Sequence, residues 1–243
     1  MSLLTFQNVG FGYPNRPATF TDLSFQIKPG DRLGLIGPNG AGKTTLFLLA
    51  CGVLAPRQGM IQLGDRPVIP GEFHSEIGLV FQNADDQLFC PTVADDVAFG
   101  PTEMGLSREQ IYARVDQALD AAGITQLADL PPHQLSGGQK RMVAIAGILA
   151  CQPNITLYDE PSANLDAPAR QRLIEFLQNS TQATGGGSEK GFIVSSHDLH
   201  FVRTVCDRVM LLSGGQIIAD GDPKTVLGDA ALMGEYGMET QHF

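Results

Sequence analysis

Apolar and polar residues alternate along residues 3–9 and again along 23–27, the period-2 pattern of half-buried strands, and the two are predicted to pair antiparallel. Between them Phe11-Gly12-Tyr13-Pro14 reads as a turn with an exposed aromatic side chain. Residues 33–36 form a continuous apolar run instead, as expected of a strand buried on both faces, and 45–50 follow as a helix. Further strands are predicted at 59–63 and, fully buried, at 77–81. From residue 85 to 150 the pattern turns helical and β-branched runs become rare. There Ser107-x-x-Gln110 is a capping box, followed by Ile111, Val115, Ala118, Leu119 and Ala122 at helical spacing, with Gly123 as the stop. Ser136-x-x-Gln139 is a second capping box opening an apolar helix to about Cys151.

Strand and helix then alternate again. A buried strand is predicted at 155–159, then a helix from near Asp166 to about Thr181 with Pro168 in its first turn. Strands at 192–195 and 209–212 precede a hairpin at Gly214-Gly215 leading into 216–219. The Gly-rich stretch 185–191 reads as a flexible connection without visible chemistry. The pattern as a whole predicts an α/β chain forming one domain over 1–243. Its mostly parallel sheet core comes from 1–84 and 153–243, with an antiparallel β part at the N-terminus and an inserted α-helical subdomain over 85–152.

Composition changes this picture only by exclusion. With 43% hydrophobic residues the chain can bury a sizeable core. Its 26 acids against 16 bases, a net charge of −10, disfavour a nucleic-acid partner, which calls for a basic face. The cysteines, at 51, 90, 151 and 206, show no Cys-x-x-Cys spacing and are expected to be free, buried thiols of a reducing compartment. The N-terminus lacks the pattern of a signal peptide, and the longest apolar stretch, 142–151, is about half of what spans a bilayer. The chain is therefore expected to be soluble and to reach a membrane only by docking on another protein.

Three stretches carry chemistry. Gly37-Pro38-Asn39-Gly40-Ala41-Gly42-Lys43-Thr44 fits Gly-x-x-x-x-Gly-Lys-[Ser/Thr] between a predicted strand and helix, the phosphate-binding loop. Its glycines let successive N–H groups point into one concavity at a helix N-terminus; Lys43 adds a charge for terminal phosphates, and the Thr44 hydroxyl is a candidate Mg²⁺ ligand. Asp159 and Glu160 end a buried strand, where ligands bind in open α/β sheets. Asp159 is the candidate for the Mg²⁺ shell and Glu160 for polarising an attacking water. Leu135-Ser136-Gly137-Gly138-Gln139-Lys140 places two glycines at a capped helix N-terminus, a second anion nest.

Together these motifs resemble the ATP-binding cassette ATPases, over essentially the whole chain. The resemblance implies a phosphate-loop NTPase fold with a RecA-like core. It implies ATP and Mg²⁺ as cofactors and a head-to-tail dimer in which each ATP lies between one subunit's phosphate loop and the other's Ser136–Gln139. Nucleotide contacts are implied for Tyr13, which would stack on adenine, for Gly37, Pro38, Asn39, Gly40, Ala41, Gly42, Lys43, Thr44 and Thr45, and for Ser136, Gly137, Gly138 and Gln139. Thr44, Gln82 and Asp159 are implied at the metal; Glu160, His197, Gln82 and Lys43 in hydrolysis. Residues 162–166 match the loop that crosses the dimer interface. Tyr158 and Asn164 depart from the family's usual residues, with no role assigned.

Residues 81–89, 92–101 and 105–106 look like the energy-coupling-factor branch, which drives uptake of transition-metal ions or vitamins. The resemblance implies that the segment from Gln82 to Phe89 docks on an integral membrane subunit. Asp85 and Asp86 would face basic groups there, with Leu88 and Phe89 as apolar anchors. It further implies a peripheral place on the cytoplasmic face of the membrane, a second ATPase subunit identical or paralogous, and no direct contact with the solute. An ATPase of a conventional importer or exporter, a cassette ATPase acting on DNA or ribosomes, and a small-molecule kinase stand as alternatives. The last leaves the second nest unexplained, and the DNA or ribosome reading fits poorly with the acidic charge.

Overall fold

The computed structural model describes residues 2–180 and 190–238. In chain order these form β1 (Leu4–Phe11), β2 (Phe20–Ile27), β3 (Arg32–Ile36), α1 (Lys43–Ala50), β4 (Gln58–Leu63), β5 (Arg66–Pro67) and β6 (Ile77–Val80). Then come α2 (Val93–Glu103), α3 (Arg108–Ala121), α4 (Gly137–Ala150), β7 (Ile155–Asp159), α5 (Ala167–Asn179), β8 (Gly191–Ser195), α6 (Leu199–Val205), β9 (Arg208–Ser213), β10 (Gln216–Gly221), α7 (Pro223–Gly228) and α8 (Ala230–Glu235).

The apolar runs become the central strands because they are buried twice. The six-stranded sheet runs β10-β9-β3-β8-β7-β6, parallel except for the β9–β10 hairpin. Alternate residues of one strand belong to opposite layers. Leu33, Leu35, Ile155, Leu157, Ile193, Met210 and Leu212 face α1 and a four-stranded antiparallel sheet of order β2-β1-β4-β5. Ile36, Tyr158, Phe192, Val194, Val209 and Leu211 face the layer built from α2 to α8. The helical stretch is thus no separate body: Val143 and Ile145 of α4 share one cluster with the sheet strands. Both predicted capping boxes form, Ser107 with Gln110 and Ser136 with Gln139, each with its two reciprocal hydrogen bonds and each contributing about 1 kcal/mol.

Several expectations are corrected. Tyr13 is half-buried, its ring edge-on to Phe11 at 5.0 Å, because the turn folds back over α1 rather than into solvent. The strand at 77–81 ends at Val80 and Phe81 is exposed. Only Cys206 is a buried thiol; Cys51 and Cys151 close their helices, where the chain turns outward, and with Cys90 are half-buried. β5 and α6 to α8 were not expected, being too short for a periodic signal. Of the Gly-rich stretch, residues 185–189 lie outside the described residues, as does Thr181; Gly191 opens β8. Tyr158 fills the helical side of the sheet, edge-on to Phe192 at 6.0 Å. Asn164 stands at φ +60°, a left-handed position that asparagine tolerates better than most residues.

Candidate functional site

The loop between β3 and α1 turns so tightly that two of its glycines are obligatory. At Gly37 (φ +150°) a Cβ would lie 2.1 Å from the Leu212 carbonyl oxygen; at Gly42 (φ +102°) it would meet the Phe20 ring at 2.8 Å. Gly42 caps α1 with no side chain, and no acid stands in the first turn. The leading N–H groups of α1 therefore remain available to an anion. Lys43, itself buried, donates from Nζ to the carbonyls of Gly37 at 2.8 Å and Pro38 at 3.3 Å. Burial pushes its pKa down, and the nearby Glu160 and Asp159 partly counter that shift.

Asp159 is brought to the loop by the order β3-β8-β7, which sets the C-terminal ends of three parallel strands side by side. Thr44 Oγ1 donates to Asp159 Oδ2 at 2.7 Å and Ser195 Oγ to Oδ1 at 2.5 Å, so both carboxylate oxygens are held. Glu160 follows at φ +45°, an unfavourable conformation for a glutamate, which its N–H helps hold by donating to Ser195 O and Oγ, both at 3.1 Å. Its Oε2 accepts from His197 N at 3.3 Å. Oε1 is buried and no group among the described residues donates to it. His197 Nε2 is 3.4 Å from that oxygen and 3.3 Å from Lys43 Nζ. An ammonium can only donate, so Nε2 accepts from it. Burial and the Lys43 charge also lower the His197 pKa, and the imidazole is neutral at pH 7. The His197–Glu160 approach is therefore no ion pair. Burial raises the Glu160 pKa, against the opposing pull of the His197 N–H and of Lys43.

These groups line one cleft of about 660 Å³. Of the predicted residues, Tyr13, Asn39, Gly40, Ala41, Gly42, Lys43, Thr44, Thr45, Gln82, Asp159, Glu160 and His197 meet there. Tyr13 is fixed by a 3.2 Å hydrogen bond between its hydroxyl and Thr45 Oγ1. Gly37 and Pro38 stand behind the wall, their carbonyls on Lys43. Ser136, Gly137, Gly138 and Gln139 do not line this cleft: Ser136 and Gly137 are exposed at the start of α4, and Gly138 is pressed against Ala169 of α5. Among the described residues no cluster of three or more His, Cys, Asp or Glu could hold a metal. The paired oxygens of Thr44 and Asp159 nonetheless suit Mg²⁺, which takes few protein ligands and completes its shell with phosphate and water.

Two contributors were not anticipated. Gly214 and Gly215, read only as a hairpin, line the cleft beside Thr19. Arg141 of α4 is buried and donates to the carbonyls of Phe81 and Gln82, both at 2.5 Å. In the sequence it follows the exposed-looking Gln139 and Lys140 and carries no signal of its own burial.

Beyond Gln82 the chain borders a groove of about 500 Å³. Leu88, Val143 and Ile148 lie in it, with Phe73, Phe81, Phe89 and Phe99 exposed around it; Phe89 is 66% exposed. Asp85 and Asp86, expected from the resemblance to face basic groups of a membrane subunit, are engaged within the chain. Asp85 pairs with Lys140 at 2.6 Å, and Asp86 accepts from Asn83 Nδ2 at 3.2 Å. The Lys140 pair is solvent-exposed at Asp85 and worth about 1 kcal/mol or less, so Asp85 can exchange partners at little cost.

A family model described as ABC transporter matches residues 20–163. The energy-coupling factor transporter ATP-binding protein EcfA of Methanocaldococcus jannaschii is 41% identical over 94% of this chain and 82% of its own. The cobalt import ATP-binding protein CbiO of Rhodobacter capsulatus is 39% identical over 97% of this chain and 84% of its own. Among solved structures, cbiO1 of Clostridium perfringens, described as part of the ABC transporter complex cbiONQ, superposes with a TM-score of 0.83 and 33% identity, covering 96% of this chain and 94% of that one.

Proposed function

Since this chain belongs to the ABC transporter family as one of its ATPases, we propose that it drives uptake of a transition-metal ion or vitamin. It would do so as the ATP-hydrolysing subunit of an energy-coupling-factor type transporter. The observation that carries the reading is the meeting of Lys43, the Thr44–Asp159 pair and Glu160 in one cleft. Loop N–H groups and Lys43 hold the phosphates of ATP, and Tyr13 lies under the base. Thr44 and Asp159 would hold Mg²⁺, with Gln82 lining the same cleft, and the ion would supply charge neutralisation at the phosphates. Oε1 of Glu160, left without a protein donor, accepts a hydrogen of the attacking water, and His197 stands beside the terminal phosphate.

Ser136–Gly138 lie away from this cleft, with their helix N-terminus exposed. That placement supports a head-to-tail dimer in which they close on the ATP of a second subunit. Loss of the terminal phosphate then reopens the pair. ATPase activity per mole of chain is accordingly expected to rise with protein concentration until the dimer saturates. Steady-state rates over a dilution series check this, and a flat series would rule out the shared site.

The groove beside Phe89 is the proposed seat of the membrane subunit. No helix among the described residues is long and apolar enough to cross a membrane. Relatives named for energy-coupling-factor transport and cobalt import support this assignment. Phe89→Arg places a charge at an exposed apolar corner of the groove. It is expected to reduce co-purification with co-expressed membrane subunits by about tenfold or more, the scale of losing an aromatic anchor, while basal ATPase activity stays within about twofold. Pull-down from detergent extract, with the ATPase rate of the same preparation, checks both halves.

A further inference from the structure

Arg141 is 4% exposed early in α4, just before the helix turns apolar at Met142, and no carboxylate among the described residues pairs with it. Its two terminal nitrogens are spent on consecutive carbonyls, Phe81 O and Gln82 O, and its Nε is buried without a partner. For a residue that only fills space this is a poor solution. A methionine of similar reach would bury without a charge to desolvate. Burial lowers the Arg141 pKa, and the charge of Asp159 is what opposes that shift.

Other contacts fasten the same segment to α4. Gln87 donates from Nε2 to Ala144 O at 3.2 Å and accepts from Phe81 N at 3.2 Å, and Lys140 holds Asp85. Residues 81–87 run from the nucleotide cleft to the apolar groove. They are tied along their length to the helix whose first residues are Gly137 and Gly138.

We propose that Arg141 is a positioning residue: its two-pronged grip on the Phe81 and Gln82 carbonyls sets the Gln82 side chain in the cleft and makes Gln82 and α4 move as one unit. It acts through Gln82 and touches neither phosphate nor water. The inference rests on the nucleotide site proposed above. A shift of α4 is thereby passed to Gln82, and a shift of Gln82 to α4, through two hydrogen bonds.

The test uses the full chain, at a concentration where activity per mole has levelled off, with Arg141→Met and Arg141→Lys beside the wild type. In Arg141→Met, amide exchange of residues 81–87 is expected to accelerate by about tenfold, with residues 155–159 unchanged. Its kcat is expected to fall by about tenfold to a hundredfold, the scale of a misplaced catalytic shell, with KM for ATP within about threefold. Arg141→Lys, which keeps the charge and one prong, recovers part of both. In a Gln82→Ala background Arg141→Met adds no further loss of kcat, as expected of two residues acting through one effect.

Unchanged kcat in Arg141→Met overturns the proposal. So does equal acceleration of exchange at 155–159, additivity with Gln82→Ala, a lysine variant no better than methionine, or failure of both variants to fold. Glu160→Gln serves as the control for the site itself. If it too leaves turnover intact, the nucleotide site is misassigned; if it abolishes turnover while Arg141→Met does not, the Arg141 role alone fails.

Discussion

Glu160→Gln is expected to bind ATP as tightly as the wild type while kcat falls by about 10²–10⁴-fold, the usual worth of a positioned general base. The change preserves the shape of the side chain and its Oε2-type contact with the His197 N–H, so the cleft keeps its form. What it removes is the negative charge at Oε1, the buried oxygen that no group among the described residues satisfies. Equilibrium ATP binding and single-turnover hydrolysis on one preparation check the two halves. A variant that hydrolyses at near the wild-type rate would take Glu160 out of its role.

The same substitution has a signature in stability. The folded-state pKa of Glu160 is raised by burial, so the folded chain holds that proton more tightly than the unfolded one does. The group's contribution to stability is complete below the unfolded pKa and is lost as pH rises through the folded value. Above the folded value the ionised Glu160 thus opposes folding, and Glu160→Gln is expected to melt slightly higher than the wild type there, with the difference vanishing in acid. The pH–rate profile should fall on the acid side through a pKa above the ordinary glutamate value. His197, its pKa lowered by burial and by the Lys43 charge, gives no limb near pH 7.

Lys43→Met is expected to be the second severe change, acting on binding. Charge-assisted hydrogen bonds are each worth about 1.5–3 kcal/mol, so ATP affinity should fall by about ten- to a hundredfold. The ligand-free fold should hardly notice. Two carbonyl bonds from Lys43 are lost, but so is the desolvation of a buried ammonium, which these bonds and the two carboxylates only partly offset. Thermal melting with and without ATP separates the effects. The unliganded midpoint should stay within a few degrees, and the stabilisation by ATP should shrink by about 1.4 kcal/mol for each tenfold loss of affinity. A variant that melts far lower without nucleotide would make Lys43 a structural residue first.

Most of the fold was legible because its signals are local. The double burial of β3, β7, β8 and β9 appears as unbroken apolar runs, the capping boxes as two residues three apart, and the loop before α1 as its glycines. The candidate site was legible for a related reason: its groups sit at the C-terminal ends of strands or in one contiguous loop, so their positions follow once the elements are found. Glu160 needed no tertiary information beyond that, whereas His197 was singled out only through the family resemblance.

Other features depend on which distant segments meet. Period and composition do not say that Asp159 reaches Thr44 across 115 residues of sequence; the strand order β3-β8-β7 decides it. They did not show that Asp85 would be taken by Lys140, since either acid of an acidic pair can find a base once the chain folds. Nor did they single out Arg141, which reads as one more solvated charge until α4 is seen packed against the end of β6, where two carbonyls await it. By itself the sequence determined the longer elements and the chemistry each carries, because hydrophobic period and turn chemistry act over a few residues. Only the tertiary structure decided which charges are buried, which carboxylates remain unsatisfied, and that Ser136–Gly138 open away from the cleft of their own chain. Burial and long-range pairing depend on parallel-strand order and layer packing, and no local stretch encodes these.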